Sequence, residues 1–237
     1  MYSEIWTVCG YHLRRLLRLK VLIGMACVFI LLLLTINGAA FLQLLAYIFW
    51  TFTAPMPITL LIPYYALIVV MPILAVVFTN GLFAKPLEEK SVEFELLRIK
   101  RISYVFGKIC ATMIFHSVFV ILVMVAAWAY TYYQLRSLSL GSALWLTTAL
   151  LIYTWMLVSL YALVSAFTGR QDRSLQLSMA LTFILGKFLI IGPMQRFTPF
   201  WYAAQVVGGS GIPLVFWAAI FITTLSGTVV IFERKQL

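Results

Sequence analysis

Long apolar runs fill most of this sequence and limit what it can fold into. Of the 237 residues, 64% are hydrophobic and only 10% are charged, a balance that water-soluble domains do not have. A helix needs about 20 apolar residues to cross the hydrocarbon core of a bilayer, and each crossing with its connection takes about 35 to 40. The sequence therefore predicts an all-α membrane protein with about six spans, folded as a single domain over residues 1–237.

Six apolar segments fit that number. They are predicted at residues 21–43, 58–83, 105–130, 142–167, 175–191 and 212–232. Within the second segment Pro72 lacks the N–H group that a continuous helix uses, so we expect a bend there. Before the sixth segment, residues 194–211 are aromatic, glycine-rich and nearly uncharged. Such a stretch is too apolar for an ordinary loop, and it predicts a partly inserted, re-entrant element.

The N-terminal residues predict an amphipathic helix over residues 3–20 that lies along the membrane surface. At 100° per residue, an apolar arc and a polar arc fall on opposite sides of this helix. The apolar arc contains Ile5, Trp6, Cys9, Leu13, Leu16 and Leu17, and the polar arc contains Tyr11, Arg14, Arg15 and Arg18.

A charged island, residues 85–108, separates the second apolar segment from the third. Its sequence is KPLEEKSVEFELLRIKRISYVFGK. Pro86 suits the first turn of a helix, Glu88 and Glu89 suit its positive N-terminal end, and the basic residues that follow suit its negative C-terminal end. The pattern predicts a short surface helix over residues 85–104, and on charge alone it favours a plain solvated helix.

Basic residues indicate the orientation, because Lys and Arg are retained on the cytoplasmic side of membrane proteins. With six spans, all seven acidic residues and all but three of the 17 Lys and Arg residues fall on the side of the two termini. The exceptions are Arg136, Lys187 and Arg196. We therefore expect a multi-pass protein of the plasma (inner) membrane with both termini in the cytoplasm. Because the basic residues encode orientation, no nucleic-acid partner is expected.

Few polar side chains remain inside the predicted spans. Proton or sodium coupling usually needs a carboxylate within the membrane, and none is predicted there, which disfavours an ion-coupled carrier. Lys187 is the only charged residue predicted within a span, and its position near the outer end favours snorkelling to the interface over substrate binding. The candidates for a substrate path are Asn37, Gln43 and Lys187.

Enzymatic motifs are weak in this sequence. Residues 208–211 have the GxSG form of intramembrane serine proteases, but His12 and His116 precede them, whereas that family places its base later, and a glycine-rich turn explains them equally well. There is no HExxH motif or zinc-ligand spacing, so no metal site is expected. There is no GxxxxGK[ST] loop, so we do not expect this chain to hydrolyse ATP. An intramembrane enzyme or a structural subunit without a substrate path stays as the alternative.

Together these features resemble the membrane subunit of ABC-2 type transporters. Members often carry the run EEKxxGTLExLLxxPxSRxxxxxGK at the island, and this chain has EEKSVEFELL from Glu88, RIS from Arg101 and GK from Gly107. The Gly-Thr pair and the Pro of that run are absent here. The ending FERKQL, from Phe232, is also similar to the family's usual tail.

The resemblance implies a division of labour. Two copies of a separate ATPase subunit would bind ATP and magnesium, so this chain would need no cofactor, and an identical or similar second membrane subunit would complete an exporter surrounded by membrane lipid. Residues 3–20 would be the elbow helix, residues 85–104 the coupling helix that docks on the ATPase, and residues 194–211 the outer cap of a path for a hydrophobic or amphipathic substrate. The residues expected to contact the ATPase are Glu88, Glu89, Val92, Glu93, Phe94, Glu95 and Leu96.

Overall fold

The chain is helical throughout the part that its computed structural model describes, which is residues 2–18, 21, 24–28, 56, 58–96, 99–135, 140–187 and 199–234. About 90% of these residues are in helices, and none of them is in a strand. The all-α class predicted from the sequence is therefore confirmed. The helices are α1 (Tyr2–Leu16), α2 (Ile58–Thr79), α3 (Ala84–Glu88), α4 (Ser91–Leu96), α5 (Arg101–Leu135), α6 (Leu140–Thr168), α7 (Gln171–Lys187), α8 (Pro199–Val207) and α9 (Ile212–Arg234).

Within the described residues, four stretches of helix are long and apolar enough to cross a membrane. They are Leu60–Glu88, Arg101–Tyr133, Leu140–Thr168 and Ile212–Arg234, and they correspond to the second, third, fourth and sixth predicted spans. The predicted first span, 21–43, lies mostly outside the described residues, and so do the last four residues of the predicted fifth, 175–191. The count of six stays a prediction.

Helix α6 is the centre of the bundle, because it packs against α2, α5, α7 and α9. Its side chains on several faces are buried, and hydroxyl or indole groups join it to each neighbour. The hydroxyl of Tyr153 donates to the carbonyl of Ile68 at 3.2 Å, and the indole of Trp155 donates to the hydroxyl of Ser117 at 2.9 Å. The hydroxyls of Ser159 and Thr224 lie 2.7 Å apart, and those of Tyr161 and Thr182 lie 2.6 Å apart. Each such bond contributes about 0.6 kcal/mol to the packing of membrane helices.

Helix α2 continues through both Pro63 and Pro72 and ends at Thr79. A turn over residues 80–83 follows, and α3 begins at Ala84. The apolar stretch Leu60–Glu88 thus contains a break in its backbone hydrogen bonding near one end. This break comes directly before the charged island in the chain.

Helix α8 lies within the region for which the sequence predicted a re-entrant element, residues 194–211. It packs against α2, α6 and α9, and Ala203 and Val206 are fully buried. The indole of Trp145 donates to the carbonyl of Val206 at 2.8 Å. The helix ends in a turn in which Gly209 has a φ of 85°, a left-handed conformation that favours glycine. Residues 194–198 lie outside the described part.

Helix α1 crosses the first turns of α5 at very close range. A Cβ atom added at Gly107 would lie 2.7 Å from the Cβ of Val8 and 2.9 Å from the carbonyl oxygen of Ile5, so the two backbones meet there. The residues of α1 that become buried are Val8, Cys9, His12 and Leu16. Trp6 and Leu17, which the sequence assigned to the apolar arc, are 65% and 47% exposed. The crossing at Gly107 therefore rotates the contact face away from the predicted arc.

We expect Gly107→Ala to loosen the contact between α1 and α5. The new methyl group would press on the backbone of Ile5, and overpacking of this kind costs about 1–3 kcal/mol. The measurement is the rate at which a permeant maleimide labels Cys9, which is 2% exposed and whose thiol pKa is raised by burial, with Cys27 and Cys110 replaced by Ser. Labelling should become several-fold faster.

The matched control for this change is Gly141→Ala, because a Cβ at Gly141 meets no other atom within 4 Å. Labelling of Cys9 in the control should match that of the parent. If Gly107→Ala also labels at the parent rate, the close crossing of α1 and α5 is contradicted.

Candidate functional site

The charged island forms two short helices, α3 and α4, where the sequence predicted one helix over residues 85–104. Lys90 separates them and has a φ of 55°, a left-handed conformation that ends α3. A third helix, α5, then begins at Arg101. Charge patterning and dipole complementarity do not distinguish one helix from two here, because both place acidic residues before basic ones.

The break between α2 and α3 is held by hydroxyl groups from other helices. The hydroxyl oxygen of Ser165, in α6, accepts hydrogen bonds from the backbone N–H groups of Phe83 and Ala84 at 3.1 and 3.0 Å. The same hydroxyl donates to the carbonyl of Asn80 at 2.9 Å, and the hydroxyl of Ser174, in α7, donates to that carbonyl at 3.3 Å. Buried backbone groups that α2 cannot satisfy are therefore paired by α6 and α7.

Lys108 reaches the same break from α5, although it is only 7% exposed. Its ammonium group donates to the carbonyl of Leu82 at 3.3 Å and to the hydroxyl of Tyr104. It also lies 4.2 Å from the centre of the Tyr104 ring and 3.8 Å from the carboxylate of Glu95 in α4. A buried ammonium is costly unless it is paired, and these groups supply that pairing. Lys108 thus connects α5 to both the break and the island.

Aromatic rings and one arginine join the island to the end of α9. Tyr104 stacks on Phe232 with 5.6 Å between ring centres, and Phe83 lies 5.4 Å from Phe232. The guanidinium of Arg101 donates to the backbone carbonyl of Glu233 at 3.0 Å. These contacts place the last turn of α9 against the first turn of α5.

Two carboxylates connect further helices at this end of the bundle: one joins α3 to α7, and the other joins α1 to α5. Glu88, the last residue of α3, accepts a hydrogen bond from the backbone N–H of Gln171 at 2.9 Å, where the positive end of the α7 dipole favours a negative charge. Glu4 of α1 accepts one from the hydroxyl of Ser103 at 2.9 Å. The N-terminal helix, the island, the turn before α7 and the end of α9 therefore meet at one end of the bundle. These are the segments that the charge count assigns to one side of a membrane.

The predicted contact residues differ in their availability to a partner. Glu88, Glu89 and Glu95 are exposed, and Glu89 lies 3.7 Å from Lys85 as an i,i+4 ion pair. Val92, by contrast, is fully buried in the core, and Leu96 is partly buried where it packs against the core. Val92 is therefore removed from the surface that α4 presents. The side chains of Glu93 and Phe94 lie outside the described part of the chain.

The candidates for a substrate path are not brought together by the described residues. Asn37 and Gln43 lie outside them, and Lys187 is the last residue of α7, with its side chain undescribed. The prediction that Lys187 is the only charged residue within a span is wrong, because the buried Lys108 lies in Arg101–Tyr133. Lys108 follows Tyr104 by four residues, and residues four apart share a helix face, so this spacing could have predicted their contact.

Ser210 is the serine of the GxSG sequence. Ser210 lies in the turn after α8, where its backbone N–H donates to the carbonyl of Gln205 at 3.0 Å, as a helix-ending turn requires. Among the residues that the structure describes, no group of three His, Cys, Asp or Glu side chains could hold a metal ion.

No protein-family model matches this chain, and no curated protein matches it significantly.

The contact between Glu95 and Lys108 can be tested by replacing one partner and then both. We expect Glu95→Ala to destabilise the protein by about 1–3 kcal/mol, because it removes the negative charge that pairs with a buried ammonium. The double change Glu95→Ala with Lys108→Met should recover much of that loss, since an apolar pair replaces a broken ion pair. Thermal unfolding of the purified protein in detergent measures both effects, at about 2 to 4 °C for each kcal/mol.

The control for this pair is Glu89→Ala, which removes an exposed carboxylate and should cost about 0 to 1 kcal/mol. Additive losses in the double variant would contradict the coupling between Glu95 and Lys108.

The contact of α1 with α5 should weaken in acid because of His12. In the described part of the chain its Nε2 atom has no hydrogen-bond partner, and burial, followed by the charges of Lys108 and Arg15, lowers the pKa of His12 from 6.5 to about 4. The unfolded state therefore binds a proton that the folded state does not as pH falls from about 6.5 to about 4. Stability from His12 is present above this window and is lost within it.

The difference in melting temperature between pH 7 and pH 5 measures this effect. We expect a larger fall for the wild type than for His12→Gln, which stays neutral. Carboxylates titrate alike in both proteins, so they cancel in the comparison. An equal fall in melting temperature for the two proteins would mean that His12 does not become charged on unfolding.

Proposed function

We propose that this chain is the membrane subunit of an ABC-2 type exporter and that the island is its docking site for a separate ATPase. The observation that carries the proposal is the charged island itself. It interrupts the apolar bundle between α2 and α5 and presents carboxylates to solvent, and its helices α3 and α4, with the turn before α3, contact α5, α6, α7 and α9. A plain solvated loop has no need of so many attachments.

The attachments suit a segment that transmits motion. A partner that displaces α3 or α4 would pull on Ser165, Gln171 and Lys108, which belong to α6, α7 and α5. Because packed interiors deform little, displacement at the island becomes displacement of whole helices. ATP hydrolysis in the partner would in this way change the arrangement of the spans.

The docking surface consists of the exposed side chains of α3, α4 and the turn between them. Glu88, Glu89, Lys90 and Glu95 contribute to it. Charged rims of this kind direct association, while apolar anchors supply most of the affinity. Phe94 is the anchor that the sequence offers in this segment.

The complete assembly would contain two ATPase subunits, which bind ATP and magnesium, and a second membrane subunit, identical or similar to this one. Helix α9 offers that subunit a surface, since only 17% of its most apolar window is buried, against 50% to 67% in the other candidate spans. The charged end of the bundle would face the cytoplasm at the plasma (inner) membrane. The path would carry a hydrophobic or amphipathic substrate outward.

The test of this function is recovery of the ATPase on the membrane subunit. We expect Glu89→Lys combined with Phe94→Ala to reduce co-purified ATPase at least about tenfold, because loss of a central anchor costs about 2 kcal/mol or more. The chain and a candidate P-loop ATPase subunit would be expressed together, and the retained ATPase and substrate-stimulated hydrolysis would be measured.

The control is Asp172→Lys combined with Phe167→Ala. It makes the same changes of charge and ring at exposed positions near the same end of the bundle, on α6 and α7. This variant should retain the ATPase. Wild-type recovery and transport by the island variant would show that α3 and α4 are a plain loop.

A further inference from the structure

The exposed surface of α1 is divided into two stripes of different chemistry. Tyr11, Arg14 and Arg15 are spaced at i, i+3 and i+4, which places them on one face of α1, and Arg18 lies two residues after the end of the helix. All four are exposed. Tyr2, Trp6 and Leu17 form the second stripe and are 79%, 65% and 47% exposed. The remaining face is packed on α5. Helix α1 therefore has one protein-facing, one basic and one apolar side.

The basic stripe has no acidic partner within the described residues. The two ion pairs found there join Lys85 to Glu89 and Lys108 to Glu95, and neither involves α1. Glu4, the acidic residue of α1, is bonded to the hydroxyl of Ser103 instead. Arginines near the C-terminal end of a helix are also stabilised by the helix dipole. That effect is limited to the last turn, however, and it does not explain the aromatic residues of α1.

The position of α1 sets the depth at which both stripes lie. It crosses α5 at Gly107, six residues after Arg101, which is about 9 Å along the helix axis. Arg101 begins the candidate span Arg101–Tyr133, so the crossing lies near the end of that span. Span ends lie close to the phospholipid headgroups, where Trp and Tyr are enriched and where Arg meets phosphate.

We propose that α1 is a binding surface for anionic phospholipids, with the Arg14 and Arg18 guanidinium groups on the headgroup phosphates and Trp6 in the adjoining acyl region. Charge complementarity selects this occupant, because three arginines face outward and each guanidinium can donate two parallel hydrogen bonds to a phosphate. The apolar stripe next to them excludes a purely aqueous partner such as a nucleic acid. The proposal does not depend on the transport function.

Trp6 supplies a probe for the experiment. The purified full-length protein is reconstituted into phosphatidylcholine bilayers that contain the same small mole fraction of either dibrominated phosphatidylglycerol or dibrominated phosphatidylcholine. Bromine quenches nearby indole fluorescence. The signal of Trp6 is the difference between the wild type and Trp6→Phe. We expect stronger quenching by the anionic lipid, and we expect this preference to fall as salt is added.

Two paired variants separate a site from a general charge effect. Arg14→Gln with Arg18→Gln should lower the preference for the anionic lipid about thirtyfold, since each arginine near the surface contributes about fivefold. The control, Arg170→Gln with Arg173→Gln, removes two exposed positive charges from the turn before α7 and from α7 itself, and it should keep the preference.

Three outcomes would overturn the proposal. The first is equal quenching of Trp6 by both lipids in the wild type. The second is an equal loss in the control variant, which would mean that only net charge matters. The third is no quenching of Trp6 by either lipid, which would mean that protein covers this face. A melting temperature for each variant, measured in the same bilayers, establishes that α1 remains folded.

Discussion

The turn between α2 and α3 depends on one constraint, which is that backbone N–H and C=O groups beside an apolar bundle must find partners. Ser165 satisfies three of these groups, at Asn80, Phe83 and Ala84, and Lys108 satisfies a fourth, at Leu82. The helices that carry those side chains are held in place by the same bonds. The island can therefore leave the bundle axis only where α5 and α6 are already packed against α2.

A buried ammonium at this break destabilises the fold unless it stays paired, so the groups around Lys108 must keep their positions. Lys108 keeps its charge near Glu95, the ring of Tyr104 and the carbonyl of Leu82, and each of these belongs to a different element or turn. Moving any one of them away leaves an ammonium group with fewer acceptors. The position of α4 is thus linked electrostatically to the start of α5 and to the end of α2.

The sequence predicted those features that depend on the local pattern of residues. Apolar length was enough to locate α2, α5, α6 and α9, and amphipathic spacing was enough to locate α1. The burial of Val92 and the face on which α1 packs were not predictable, because they depend on contacts between residues far apart in the chain. Gly107 shows the difference, since a glycine inside an apolar run indicates a close crossing only when the partner, here Val8, is known.

The two island helices belong to different parts of the bundle. Helix α3 is attached at its start to Ser165 and at its end to Gln171, so both attachments lie on the hairpin of α6 and α7. Helix α4 is attached to α5 through Glu95 and Lys108. Lys90 lies between them in a left-handed conformation. A change in the angle between α3 and α4 at Lys90 would move α5 relative to the hairpin of α6 and α7. The reason is that α3 stays bonded to that hairpin while α4 stays paired with α5.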